Sequence, residues 1–149
     1  MLHYRIALHY SVPSRLLCPH LPDMGYERCF NEHFLVRLLQ DYVGYPYTCV
    51  ADEQIAAGGL KGYSVLIMPT SYAIGEDEAK ALRKFVHGGG ILIADVRPGL
   101  ADASGRLGAS ETMRSLFGLS WKFRRDVARV RVTYNLSLCP SRLGAGFPN

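Results

Sequence analysis

Hydroxyl, carboxylate and guanidinium side chains follow two apolar runs of this chain, at the points where each run ends. Thr70 and Ser71 come directly after one run, and Asp95 and Arg97 lie at the end of the next one. If the two runs are parallel strands, these four side chains share the sheet edge at which open α/β sheets bind ligands. They are the candidate ligand-binding residues. A hydrolase, or a module that binds a small molecule or a carbohydrate, is therefore one hypothesis for the function.

A serine nucleophile also needs a histidine base and an acid within hydrogen-bond reach. His87 lies between Ser71 and Asp95 in the sequence, so a Ser71–His87–Asp95 arrangement deserves a test. The pattern around His87 predicts that it ends a helix at the opposite edge of the sheet, where a cation is favourable for the helix dipole. We therefore expect His87 to cap its helix, and we predict no catalytic residue.

The four cysteines form neither a nucleophile motif nor a metal motif. A cysteine nucleophile needs a tight strand-to-helix turn, but Cys18 falls in a Pro-rich loop, Cys29 in a helix, Cys49 in a strand and Cys139 near the tail. Cys29 and His33 are four residues apart, but two ligands are too few for a zinc site. We expect no metal, no cofactor and idle thiols in a reducing cytoplasm.

Composition excludes some classes of protein. The chain has 149 residues, is 48% hydrophobic and carries a net charge of +4. This length suits one domain, and no window approaches the roughly 18 apolar residues of a membrane span. The basic residues concentrate after Arg97, for example in 121–125. No nucleic-acid motif accompanies them, so we favour a solvated face or an arginine-rich interface over a nucleic-acid partner.

The segment from 75 to 90 is the best-marked helix. Three acids in its first turn suit the positive end of the helix dipole, and basic residues follow toward its end. The three glycines Gly88 to Gly90 lack the phosphate-loop pattern GxxxxGK[ST] and follow a helix instead of a strand. They are therefore predicted to end the helix.

The other elements follow from apolar periodicity. Strands are predicted over 3–11, 47–51, 63–69, 91–96 and 127–138, helices over 23–43 and 111–117, a helical turn over 52–59, and loops over 12–22 and 97–108. This alternation predicts an α/β fold with a flavodoxin-like, doubly wound, mostly parallel sheet, helices on both faces, and a C-terminal antiparallel or edge strand. Residues 1–119 form the main body, and residues 120–149 form an extension of the same domain that ends in a loose tail.

With these elements placed, the chain resembles the trimerisation domain of family-42 β-galactosidases, a member of the class I glutamine amidotransferase-like superfamily. The resemblance rests on VLIMPTSYAI at 65–74, EDEAKALRKFVHGGG at 76–90, ILIADVRPGLADASGRLG at 91–108 and SLFGL at 115–119.

In such enzymes the sugar chemistry belongs to a preceding TIM barrel, so the resemblance implies a non-catalytic scaffold domain in carbohydrate metabolism. It also implies a homo-oligomer, a dimer or trimer, with a glycosidase as a possible partner or companion domain. The Tyr-rich stretch 42–47 and the basic strand around Arg129 are candidate interface pieces, since Tyr and Arg are enriched at interfaces.

Overall fold

A computed structural model of the chain describes residues 5–20, 36–95, 97–108, 111–123 and 130–134. The strands are β1 (Ile6–Tyr10), β2 (Tyr47–Ala51), β3 (Val65–Met68), β4 (Ile91–Ala94), β5 (Leu119–Phe123) and β6 (Val130–Tyr134). The helices are α1 (Val12–Leu17), the π-helical α2 (Leu38–Val43), α3 (Asp52–Ala56), α4 (Glu76–His87) and α5 (Glu111–Phe117). None of the helices within these ranges is long and apolar enough to cross a membrane.

Four strands form one parallel sheet in the order β2-β1-β3-β4. In its register Ile6 lies between Tyr47 and Val65, and Val65 pairs with Ile91. This order, in which β2 is the edge strand and β1 lies between β2 and β3, is typical of doubly wound folds. The α/β fold predicted from the sequence is confirmed.

Both faces of the sheet are apolar, and helices pack against each of them. On one face the fully buried Leu66 and Met68 belong to a core shared with Ile55 of α3, Leu82 of α4 and Met113 of α5. A smaller core on the other face joins strand residues to α2: Ile6, Leu8, Ile67 and Leu39. Burial on both faces explains why the strands read as continuous apolar runs.

Helix α4 has the predicted ends. The Gly88 N–H donates to the Lys84 carbonyl at 2.9 Å, and Gly89 then turns the chain with φ 92°. Gly90 faces the Phe85 ring so closely that a Cβ atom there would lie 2.4 Å from it. The glycine run therefore ends the helix, as predicted, and also lets the chain pass the Phe85 ring.

The loop predicted over 12–22 is wrong in its first part, because α1 and a 3₁₀ turn at Cys18–His20 occupy it. The Ser14 N–H donates to the Ser11 side chain at 3.3 Å, which caps the helix. Pro13 lies in the first turn, where a missing N–H costs no helical hydrogen bond. The loop was predicted from its prolines, but one of them, Pro13, suits the start of a helix.

Some predicted elements fall partly or wholly outside the described residues. The helix predicted over 23–43 is described only from residue 36, so Cys29 and His33 lie outside, as do Arg129, Cys139 and the tail. Of the strand predicted over 127–138, Val130–Tyr134 is described, and it pairs antiparallel with β5 rather than with the four-stranded sheet. Strand β5 itself was not predicted. The boundary at residue 119 stays a prediction.

Candidate functional site

A histidine that is buried at the end of β1 contacts three polar side chains from other elements. The Nδ1 atom of His9 lies 2.8 Å from Ser71 Oγ. Its Nε2 atom lies 3.2 Å from Asp52 Oδ1 and 3.1 Å from Glu78 Oε1. We call these four residues the His9 cluster.

The topology of the sheet brings the His9 cluster together. His9 is the last residue but one of the inner strand β1, and Asp52 directly follows β2. Ser71 lies in the loop after β3, and Glu78 is in the first turn of α4. Because the neighbouring strands β2, β1 and β3 are parallel, their carboxyl ends meet at one edge. This is the edge at which open α/β sheets place their sites.

Each partner of His9 is also held by backbone groups. The second oxygen of Asp52 accepts the Val12 N–H at 3.1 Å, and the second oxygen of Glu78 accepts the Gly75 N–H at 3.4 Å. The Ser71 hydroxyl donates to the Pro69 carbonyl at 3.3 Å. The backbone therefore fixes how all three side chains face the imidazole.

The His9 ring is an imidazolium at neutral pH. Burial alone lowers its pKa, but the hydrogen bond to Asp52, the 3.1 Å contact with Glu78 and the charges of both carboxylates outweigh burial and raise the pKa to about 9. Burial raises the pKa of Asp52, but the hydrogen bonds from His9 and the Val12 N–H outweigh it, so the net shift is downward. The cluster thus holds one cation against two carboxyl groups.

The hydrogen bonds of the cluster run in the wrong direction for a serine hydrolase. A catalytic histidine must be neutral at the nitrogen that takes the serine proton. Here the charged ring donates its Nδ1–H to Ser71, whose own proton goes to Pro69. Ser71 is also 0% exposed. The residue types of a triad are therefore present without an activated nucleophile.

One carboxylate oxygen of the cluster has no hydrogen bond. Glu78 Oε1 lies 3.1 Å from His9 Nε2, yet the geometry does not make a hydrogen bond, and no other described residue supplies one. The reason is that Nε2 carries a single N–H, and this N–H donates to Asp52. Glu78 is 4% exposed, and a buried oxygen without a donor is costly.

The four residues singled out from the sequence separate into two groups. The Thr70 N–H donates to Asp95 Oδ1 at 2.8 Å, and Thr70 (φ 49°) and Arg97 (φ 56°) both have left-handed backbone. Ser71 turns inward to His9 instead. His87 ends α4, as predicted, and is exposed there. Ser71 is bonded to His9 rather than to His87. Ligand binding by Thr70, Ser71, Asp95 and Arg97 stays a prediction.

Sequence reasoning missed His9, Asp52 and Glu78. Their separations along the chain are 43 residues or more from His9, and no local spacing connects them. One signal was available, because His9 is a polar residue inside the apolar strand IALHY. A histidine buried in such a strand must find partners.

A cleft lies at the other end of the sheet. Its volume is about 610 Å³, and its lining includes Arg5, Tyr47, Lys61 and Tyr63, which precede or begin β1, β2 and β3. The cleft and the His9 cluster are therefore at opposite ends of the strands. The cluster itself is closed in on most sides, with Asp52 as its more exposed member.

Comparison with known proteins gives one family and a set of related folds. The family model described as "Beta-galactosidase trimerisation domain" matches residues 52–133. No curated protein sequence matches the chain.

Three solved structures represent the similar folds, and all are β-galactosidases. The enzyme from Bifidobacterium adolescentis has a TM-score of 0.62 and 18% identity, over 78% of this chain and 54% of that one. Gan42B, from G. stearothermophilus, has a TM-score of 0.62 and 19% identity, over 89% of this chain and 21% of that one. The enzyme from the haloarchaeon Halorubrum lacusprofundi has a TM-score of 0.61 and 23% identity, over 80% of this chain and 18% of that one. At these identities the likeness is one of fold, and the chain spans about half of the first enzyme and about a fifth of the other two.

Proposed function

Because the chain belongs to the β-galactosidase trimerisation domain family, we propose that it is a non-catalytic domain that associates with further copies of itself. One structural observation supports this most directly. Tyr42, Val43 and Tyr45 form an apolar surface at the end of α2, in which Tyr42 is 83% exposed and Tyr45 is 56% exposed. We call it the 42–45 surface.

The 42–45 surface has the composition of an interface core. Tyrosine is enriched at interfaces because it covers much apolar area and retains a polar tip. The surface is also part of the stretch 42–47 that the sequence alone marked as a candidate interface. The occupant that we assign to it is a second copy of this chain.

A second apolar surface lies on β4, at the edge of the four-stranded sheet. Ile91 and Ile93 are both about half exposed. They pair with Val65 and Ile67 and so share the sheet face that α2 covers elsewhere. Parallel sheets are normally covered on both faces, so we include β4 in the proposed interface.

The absence of catalysis in this proposal is supported by the His9 cluster. An imidazolium that donates to a buried serine cannot take that serine's proton, and His9 is charged at neutral pH. The cluster ties three strand ends together instead.

The finer parts of the proposal concern the setting of the chain. The similar solved enzymes are β-galactosidases that are longer than this chain, so we propose that a glycosidase accompanies it as a partner or a companion domain, in carbohydrate metabolism. The strand order supports membership of the amidotransferase-like superfamily. We also propose a reducing, cytoplasmic location, because the irregular spacing of the four cysteines does not suit a disulfide framework.

Two paired variants test the interface by sedimentation velocity. Tyr42→Ser with Tyr45→Ser alters the first surface, and Ile91→Thr with Ile93→Thr alters β4 while keeping β-branched residues in the strand. Removing interface anchors typically costs about 2 kcal/mol or more, so at least one pair is expected to weaken association about 30-fold. Leu107→Ser, which removes another exposed apolar side chain, is the matched control. Association that neither pair weakens more than the control would contradict the proposed interface.

A further inference from the structure

Three atoms of the His9 cluster have the types and the spacing of a metal-ligand set. His9, Asp52 and Glu78 each offer one ligand atom, and these atoms all lie within 4.8 Å of one another. The nitrogen is 3.2 Å and 3.1 Å from the two oxygens. Two ligands bonded at about 2.1 Å to one ion are about 3.0 Å apart at a right angle and about 3.4 Å apart at the tetrahedral angle. The two nitrogen–oxygen distances lie between these values.

The buried oxygen of Glu78 that makes no hydrogen bond is a second, independent observation in favour of a cation site. Its Oε1 atom is buried, points at the imidazole and has no hydrogen-bond partner among the described residues. A proton on Nε2 can satisfy one carboxylate well, but not two. A cation placed between the three atoms would contact both carboxylates at once.

The surrounding contacts orient all three ligand atoms. Ser71 accepts a hydrogen bond from His9 Nδ1, so Nε2, which faces Asp52 and Glu78, is the nitrogen that can bind a metal. The Val12 and Gly75 N–H groups hold the second oxygens of Asp52 and Glu78. Metal-binding histidines and carboxylates in proteins are commonly fixed by such outer hydrogen bonds.

We propose that the His9 cluster binds one divalent transition-metal cation, Zn²⁺ before the others, through His9 Nε2, Asp52 Oδ1 and Glu78 Oε1. The nitrogen ligand disfavours Mg²⁺ and Ca²⁺, which prefer oxygen alone, and a set of one imidazole and two carboxylates suits Zn²⁺. The ion enters from the side of Asp52, whose side chain is 14% exposed, and water completes its coordination.

The binding step balances in charge and in protons. When the metal binds, the Nε2 lone pair forms the new bond, the Nε2 proton leaves to solvent, and no group is oxidised or reduced. The divalent ion then balances both carboxylates. Binding lies within one chain and does not depend on self-association, so a chain that fails to oligomerise is still expected to bind the ion.

The test is metal titration of the full chain after removal of bound metal with EDTA. Isothermal titration calorimetry with Zn²⁺ is expected to give one ion per chain. The Co²⁺ form is expected to show absorption typical of nitrogen and oxygen ligands. Glu78→Gln and Asp52→Asn, which keep side-chain shape, are expected to weaken binding at least about 100-fold, and Ser71→Ala about 10- to 100-fold.

Two variants serve as matched controls. Asp77→Asn changes an exposed acid next to Glu78 on α4, and His87→Gln changes an exposed histidine of the same helix. Both are expected to bind Zn²⁺ as the wild-type chain does. Circular dichroism of every variant establishes that it is folded.

Three outcomes would overturn the proposal. The metal-free wild-type chain binds neither Zn²⁺ nor Co²⁺ with a Kd below about 1 mM. The cluster would then be an ion-pair network of His9 with the two carboxylates and not a metal site. The Glu78→Gln and Asp52→Asn variants bind Zn²⁺ as tightly as the two control variants do. The Co²⁺ spectrum shows the strong charge-transfer bands of thiolate ligands, which would place the ion at a cysteine.

Discussion

Raising the pH of the metal-free protein is expected to remove a defined part of its stability. The pKa of His9 is about 9 in the folded chain against an ordinary value of 6.5. Because the folded-state pKa is the higher one, this stability is fully present below pH 6.5 and is lost as the pH rises through about 9. The gap between the two values corresponds to about 3 kcal/mol of unfolding free energy.

Urea unfolding in the presence of EDTA measures this loss. Between about pH 6.5 and pH 9 the folded chain holds one proton that the unfolded chain does not, so the free energy of unfolding should fall by about 1.4 kcal/mol per pH unit. Glu78→Gln removes one of the two carboxylates that raise the pKa of His9. Its loss of stability is therefore expected to be smaller and to end at a lower pH.

Asp77→Asn is the control for this experiment, because Asp77 is an exposed acid on the same helix, paired with Lys80. It should keep the wild-type pH dependence. If the wild-type chain and Glu78→Gln lose the same free energy over this range, Glu78 does not help to hold the proton on His9, and the account of the cluster is wrong.

Three further changes test the packing by urea unfolding at neutral pH. Ser71→Ala leaves the buried Nδ1–H of His9 without its acceptor and is expected to cost about 1–3 kcal/mol; no loss would mean that this bond is unimportant. Gly90→Ala drives a methyl group into the Phe85 ring and should cost about 1–3 kcal/mol, whereas an unchanged midpoint would show that the ring moves freely. Leu82→Ala empties part of the core under α4 and should cost about 2–5 kcal/mol; a loss below that range would mean that the core collapses around the gap.

Helix α4 and the strands that flank it could be predicted because their signals are local. The acids at 76–78 and the glycines that follow His87 mark both ends of one helix, and the apolar runs on either side have the lengths of strands. Local signals of this kind need no knowledge of the rest of the fold. Two such units are enough to predict a parallel sheet.

Helix α1 was missed because proline was interpreted only as a helix breaker. The pattern Ser11-Val12-Pro13-Ser14 is also a helix start, with a capping hydroxyl and a proline in the first turn. The presence of Pro19 and Pro22 nearby favoured the loop, although Pro19 in fact lies in the 3₁₀ turn after α1.

The His9 cluster could not be predicted for a different reason. Its members are joined by strand order, which places the end of β1 between the ends of β2 and β3. Ser71 was singled out from the sequence, but with His87 as its hypothetical partner. The structure joins it to His9, 62 residues away, and only the topology brings the two together.

Sedimentation equilibrium of the full chain tests the central claim most directly. The chain has a mass of 16.6 kDa, and the account predicts that the weight-average mass rises with concentration toward two or three times that value. The Tyr42→Ser, Tyr45→Ser, Ile91→Thr and Ile93→Thr changes, combined, are expected to return it to the monomer. A wild-type mass that stays at one chain at every concentration would contradict the claim that this is a self-associating domain.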